Sequence, residues 1–179
     1  MVKNIVIRQV RIQDAEQYID LSNLVWRDAY KHIFPEEVFV SNESKKQKMI
    51  DKFESFTVND ADKFNYVAVD RDRIVGFISG RLGTKYQNFD SMDIAELESI
   101  YIHPDYQAIG IGTEFKNLFV KWAKEHGAKR WILGVLKDNK KARKIYEMWG
   151  GKLDEYTQPF VKLGVEYQEV FYIFNLAED

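Results

Sequence analysis

The chain has 179 residues, 45% hydrophobic and 30% charged, with no cysteine and a formal net charge of -2. That length suits one substantial core, so a single domain over 1–179 is expected, and no stretch approaches the roughly 18 to 20 consecutive apolar residues that span a bilayer. The charge supplies no general field for nucleic acid, the missing thiols remove disulfides and thiolate metal sites, and His32, His103 and His126 are too scattered for a zinc site, so neither nucleic acid, membrane nor metal is an expected partner.

The N-terminal "MVKNIVIRQV" alternates apolar residues at Ile5 and Ile7 and lacks a leader's apolar core and cleavage site. It reads as a strand, and a cytoplasmic location is the expectation. Helical spacing follows at Ile19, Val25 and Trp26, interrupted by Pro35, and a more polar helix is expected over about Asn42 to Phe56 with "SKKQK" as its solvated face. "FNYVAVDRDRIVGFISGRLG" carries two β-rich runs about a tight polar turn, an expected antiparallel hairpin, and "GTKYQNFDSMD" is a polar loop.

"IAELESIYIHP" is a strand ended by Pro104. From Phe115 the positions Leu118, Phe119, Trp122 and Ala123 trace a helix up to Gly127, and "RWILGVL" is a buried strand. After Asn139, the residues Ala142, Ile145, Tyr146 and Trp149 trace a further helix ended by Gly150 and Gly151. Two last strands are expected, about Lys152 to Tyr156 and Tyr167 to Phe174. The order is βααβββαβαββ, antiparallel at first and then a β-α-β unit whose strands can lie parallel.

"HPDYQAIGIGTEF", residues 103–115, sets Gly110 and Gly112 where a strand gives way to a helix. Glycine lets the backbone turn sharply and brings bare amides near a ligand, and the helix start adds unsatisfied N–H groups and a positive dipole end. That combination suits phosphate oxygens, although a loop that merely turns a corner has the same composition. Two other phosphate loops fail: a dinucleotide fingerprint needs glycine where Phe115 stands, and a P-loop needs Gly-Lys-Ser/Thr where Gly112 precedes Thr113 and Glu114.

These residues resemble the GNAT family of N-acetyltransferases. Its Q/R-x-x-G-x-G/A loop is matched by Gln107, Ala108, Ile109, Gly110, Ile111 and Gly112. "AELESIYIHP" is similar to the family's fourth strand, and Asn139, Ala142, Tyr146 and Gly150 match its N-x-x-A-x-x-x-Y-x-x-x-G segment, all in the family's order. The resemblance implies an α/β (α+β) fold: a mixed central sheet of about seven strands flanked by about four helices, with parallel fourth and fifth strands that splay. It also implies acetyl-CoA as cosubstrate. The amides from Gln107 and Ala108 to Thr113 would hold the pyrophosphate, a bulge at Ile100, Tyr101 and Ile102 would pair with the pantetheine arm, and Asn139 would cap its helix or bind that arm. One departure is Ile109, where the family often has a basic or small residue; Lys116, Lys140 and Arg143 are the candidates to supply the missing charge.

An amine with a pKa near that of lysine, about 10.4, must lose a proton before it attacks a thioester, so a base or a water chain leading to one is required. Glu96 and Glu98 share a strand face, and Glu96 matches the base position of some family members. A bulge between them would reverse parity, and each has an ordinary strand role as its alternative. Tyr146 falls at the family's general-acid position, with core packing as its alternative.

The resemblance places the acceptor site on the first two helices, the loop before the fourth strand and the last two strands. Trp26, Tyr30, Tyr86 and Glu98 are its candidates here, with core packing the favoured reading for Trp26, and Glu155 and Glu166 as further carboxylates. "VWRDAYKHIFPEEVF" resembles a W-x-x-x-Y-x-x-x-x-P pattern of a bacterial subgroup that includes polyamine acetyltransferases. Aromatic and acidic walls suit a cationic amine. The expected partner is therefore a small-molecule amine such as a polyamine, with a protein or peptide N-terminus, or a catalytically silent acyl-CoA-binding module, as the alternatives. An aromatic content of 15% leaves room for a homodimer surface.

Overall fold

Residues 4–53, 62–89 and 93–176 are described by the computed structural model. They form β1 (Ile5–Gln9), α1 (Ala15–Tyr30), α2 (Glu36–Glu43), α3 (Lys46–Asp51), β2 (Lys63–Asp70), β3 (Arg73–Leu82), β4 (Ile94–Ile102), α4 (Ile111–Glu125), β5 (Arg130–Leu136), α5 (Lys140–Met148), β6 (Lys152–Lys162) and β7 (Val165–Asn175). The seven strands make one mixed sheet in the order β1-β2-β3-β4-β5-β7-β6.

In place of one polar helix over 42–56, α2 ends at Glu43 and the short α3 follows at Lys46–Asp51, and 54–56 lie outside the described residues. Pro35 falls in the break between α1 and α2: with φ -70° and ψ 160° it is the N-cap of α2, and Glu36 and Glu37 set negative charge at the positive end of that helix. The two last strands are also longer than their expected bounds, at 11 residues each. Leu163 and Gly164, with φ of 47° and 79°, make the two-residue turn whose twist matches the flanking strands. Pro159 discourages a strand reading, yet β6 lies at the sheet edge, where a missing N–H is tolerated.

Two compact units divide the chain, Met1–Gly80 with Ser99–Phe119 and Arg81–Glu98 with Val120–Asp179. In the first, β1 pairs antiparallel with β2 from Ile5↔Asp70 to Gln9↔Tyr66. The apolar stripe of α1, Leu21 and Val25, packs on Val67, Val69, Ile74 and Phe77. Arg8 donates two hydrogen bonds to Asp14, at 2.6 and 2.8 Å, and the amide of Arg11 a third at 2.8 Å. Burial alone would push the Asp14 carboxyl up, but these donors outweigh it and hold the group below its ordinary value.

In the second unit β5 is central. β4 lies parallel to it only from Ile94↔Arg130 to Glu96↔Ile132, although β5 runs on to Leu136, where β7 alone accompanies it through Leu136↔Glu169. A register shift between Leu153 and Thr157 puts extra residues into β6 opposite β7.

Candidate active site

The glycine loop lies in the first unit. Pro104–Tyr106 forms a short 3-10 turn, and the Gln107 side chain donates to the Ile102 carbonyl at 3.1 Å, fastening the loop to the end of β4. Ala108 and Gly110 then take φ of 60° and 98°, so the backbone curls through the left-handed region before α4 begins. Glu114 N–H closes the first helical bond to Gly110 at 3.0 Å, and the amides of Ile111, Gly112 and Thr113 have no carbonyl one turn back within the helix. The two glycines differ in role. A Cβ on Gly110 would meet open space, whereas one on Gly112 would lie 3.3 Å from Ile102 Cδ1, so Gly112 also lets α4 sit close on β4.

Ile100, Tyr101 and Ile102 are half-buried at the end of β4. The Tyr101 hydroxyl lies 3.1 Å from that of Tyr30, and its ring packs on Phe77. Trp26 stacks on Phe34 with centroids 5.0 Å apart and also meets Tyr30 and Phe39, the surroundings of a core side chain.

Glu96, Glu98, Tyr86, Tyr146, Asn139 and Arg143 lie in the second unit. Parity puts Glu96 and Glu98 together, but Glu98 is exposed and Glu96 is only 1% exposed. Glu96 Oε2 accepts from Thr84 Oγ1 at 2.9 Å and from Lys85 N at 3.0 Å, and Lys85 Nζ stands 3.5 Å from Oε1. Thr84 Oγ1 in turn accepts the Tyr86 amide at 3.1 Å, so Glu96 anchors the turn that carries Tyr86.

Tyr86 is buried with Phe89, Ile94, Ile132 and Phe171, flanked by Tyr156 and Ile173. Burial first, then the carboxylates of Glu169 and Glu96, push its phenol far above the ordinary value, so it stays a donor. Its hydroxyl donates to Glu169 Oε1 at 3.2 Å, and Gln158 Nε2 donates to Glu169 Oε2 at 2.7 Å.

Tyr146 is half-buried on α5, its ring 5.7 Å from Trp149 and 6.0 Å from Tyr172. Asn139 Oδ1 accepts the Ala142 amide at 3.2 Å, capping that helix. Arg143 is engaged locally: Nε donates to the Tyr172 hydroxyl at 3.0 Å and Nη1 to the Lys137 carbonyl at 3.1 Å.

The sequence reading missed Glu169, Gln158 and Gly134. Glu169 alternates with Phe171 and Ile173 on β7, a polar residue on an otherwise apolar face, and that period-two pattern is the signal that could have found it.

The family model described as the acetyltransferase (GNAT) family matches residues 20–150, well over half of the chain. The chain belongs to the GNAT family. It is an acetyl-CoA-dependent N-acetyltransferase. An uncharacterized N-acetyltransferase of Methanocaldococcus jannaschii is 24% identical over 163 residues, which are 91% of this chain and 67% of that protein. Among solved structures, PaiA N-acetyltransferase from Thermoplasma acidophilum in complex with coenzyme A aligns with a TM-score of 0.70 at 23% identity, over 93% of this GNAT chain and 98% of that one. Ribosomal-protein-alanine N-acetyltransferase from Brucella melitensis aligns with a TM-score of 0.66 at 18% identity, over 96% and 99%. These likenesses carry the fold.

Acetyl-CoA suits the residues present. The left-handed turn at Ala108 and Gly110 runs into a helix start whose first amides have no carbonyl one turn back within the helix, a cradle for phosphate oxygens. Among the described residues no helix is long and apolar enough to cross a membrane.

Proposed function

We propose that this single domain acetylates a primary amine on a small cationic acceptor such as a polyamine, in the cytoplasm. The observation that supports this acceptor class is one sheet face of the second unit, where Tyr86, Phe89, Tyr156 and Phe171 surround the side of the sheet that carries Glu96 and Glu169. Aromatic faces and carboxylates together attract ammonium groups.

When bound, acetyl-CoA supplies an acetyl group activated as a thioester. In this reading the amides from Ala108 to Thr113 and the Gln107 turn receive the pyrophosphate, and the backbone of Ile100, Tyr101 and Ile102 pairs with the pantetheine arm as an added strand would. Asn139 orders the start of α5, and Arg143 braces that helix on Tyr172. Glu96 takes the proton that the acceptor ammonium must lose. Because its side chain is nearly enclosed, a water relays that proton. The free amine would form the C–N bond as the thioester C–S bond breaks, with Tyr146 giving its Oη proton to the departing sulfur and its phenolate taking up the second proton that the acylated nitrogen must shed. Trp26, Tyr30 and Glu98 contribute to the acceptor side in this reading, Trp26 through packing.

An amine screen with mass detection tests the acceptor, comparing spermidine, an aminoglycoside and a short peptide under identical conditions. Spermidine should be preferred. A clear preference for the peptide would favour the second reading, an N-terminal acetyltransferase, which the Brucella neighbour's own name motivates.

Gly110→Ala tests the cradle. The added methyl has room, but alanine at φ 98° carries strain of about 1–3 kcal/mol, and the loop should relax away from its curled form. Titration calorimetry should show CoA affinity lowered about tenfold or more, and unchanged affinity in the folded variant would remove the pyrophosphate assignment.

A further inference from the structure

Resting on the reading of this protein as an acetyltransferase for cationic amines, we propose that Glu169 is its specificity-determining residue, the carboxylate that receives the acceptor's ammonium group. No motif of the sequence points to Glu169. The argument starts from its partners.

Glu169 is half-buried on β7, and each carboxylate oxygen meets one neutral donor: the Tyr86 hydroxyl at Oε1 and the Gln158 amide at Oε2. Among the described residues it has no cationic partner. Lys85, the chain neighbour of Tyr86, is already placed against Glu96 Oε1 at 3.5 Å and over the Tyr86 ring at 4.9 Å. A partly buried carboxylate whose oxygens meet only neutral donors has no counter-charge beside it. An incoming ammonium supplies one.

The strand beneath is shaped around the same carboxylate. A Cβ on Gly134 would fall 2.5 Å from Glu169 Oε1 and 3.0 Å from the Tyr86 hydroxyl, so a larger residue at this position would displace the pair. Gly134 lies two residues beyond Ile132, the last residue of β5 paired with β4, and so on the same side of the strand as the partner of Glu96. The pairs Gly134↔Phe171 and Gln158↔Glu169 then put the glycine, the glutamine and the carboxylate on that one face. Tyr156 completes it. Its ring stacks on Phe171 with centroids 5.4 Å apart, and its hydroxyl donates to Gln158 Oε1 at 3.3 Å. The aromatic chain Tyr86, Phe171 and Tyr156 gives the methylene portion of an alkyl ammonium an apolar surface beside the charge. Tyr86 and Gln158 are thus positioning residues for Glu169.

This arrangement separates two tasks. Glu96, enclosed and tied to the Thr84–Lys85 turn, handles a proton, while Glu169 holds a charge that stays on the acceptor or arrives with it.

The test is Glu169→Gln, nearly isosteric and still able to accept from Tyr86 while removing the charge. Steady-state kinetics with spermidine should show KM raised about ten- to hundredfold, the loss expected of one charged hydrogen-bonded contact, with kcat falling much less. CoA affinity by calorimetry should match the wild type. Glu169→Asp should recover part of the KM, and a second variant, Gly134→Ala, should raise KM with every charge retained, by pushing the carboxylate off Tyr86. An unchanged KM for spermidine in Glu169→Gln would overturn the proposal, and so would a kcat loss with an altered pH profile at constant KM, which would make Glu169 the base. A wild-type protein that acetylates only neutral acceptors would instead overturn the cationic-amine reading itself.

Discussion

Tyr146→Phe should lower turnover by about 10² to 10⁴, the usual contribution of one positioned acid or base, while CoA binding stays nearly intact. The substitution is suited to the question because the ring of Tyr146 packs between Trp149 and Tyr172, and phenylalanine preserves that packing. The helix that carries it is fixed independently, by the Asn139 cap at one end and by Arg143 on Tyr172 along its length. Loss of turnover in a variant with wild-type melting behaviour therefore reports the missing O–H. Measured under conditions where the chemical step limits the rate, a barrier increase of about 2.7 to 5.4 kcal/mol corresponds to that range. Wild-type turnover in the same assay would return Tyr146 to the core and send the search for the proton donor elsewhere. Single-turnover detection of released thiol separates this outcome from slow product release.

How much of this was legible in the sequence depends on how local each signal is. The segment from β4 through α5 reads well because its punctuation is local: Pro104 closes a strand, Gly110 permits the left-handed turn, Gly127 follows a helix and Asn139 caps one. The β6–β7 hairpin reads short because its middle contains Pro159 and Gly164, and only the edge position in the sheet makes that proline acceptable. The start of α2 was hidden for a different reason: Pro35 precedes a helix as readily as it ends one. In the candidate site, Glu96 and Tyr86 were visible as residue types in promising segments. Their linkage to Glu169 was not, because Tyr86 and Glu169 are 83 residues apart and meet only through strand register. Gly134 sits inside "RWILGVL", a strand with no local signal that marks the glycine. Its purpose appears once the carboxylate above it is known.

Glu96→Gln should change the shape of the pH–rate profile rather than merely its height. Glutamine can still accept from Thr84 Oγ1 and the Lys85 amide through its carbonyl oxygen, so the turn carrying Tyr86 should hold. Lys85, more than half exposed, can swing away from the new amide at little cost. What disappears is the capacity to take a proton. An acceptor with a pKa of about 10.4 is almost wholly protonated at neutral pH, so without a base the rate must track the small free-amine fraction and climb about tenfold per pH unit. At neutral pH kcat/KM for spermidine should drop by about 10² or more, and the variant should approach wild type as the pH nears the amine's own pKa. A structural role predicts something else. If Glu96 served only to hold the 84–86 turn, Thr84→Val, which removes one of its two donors and leaves the carboxylate, would reproduce the loss. The proton-transfer assignment expects Thr84→Val to keep the wild-type profile shape and Glu96→Gln to lose it, and profiles that run parallel in Glu96→Gln and wild type would place the base at another group.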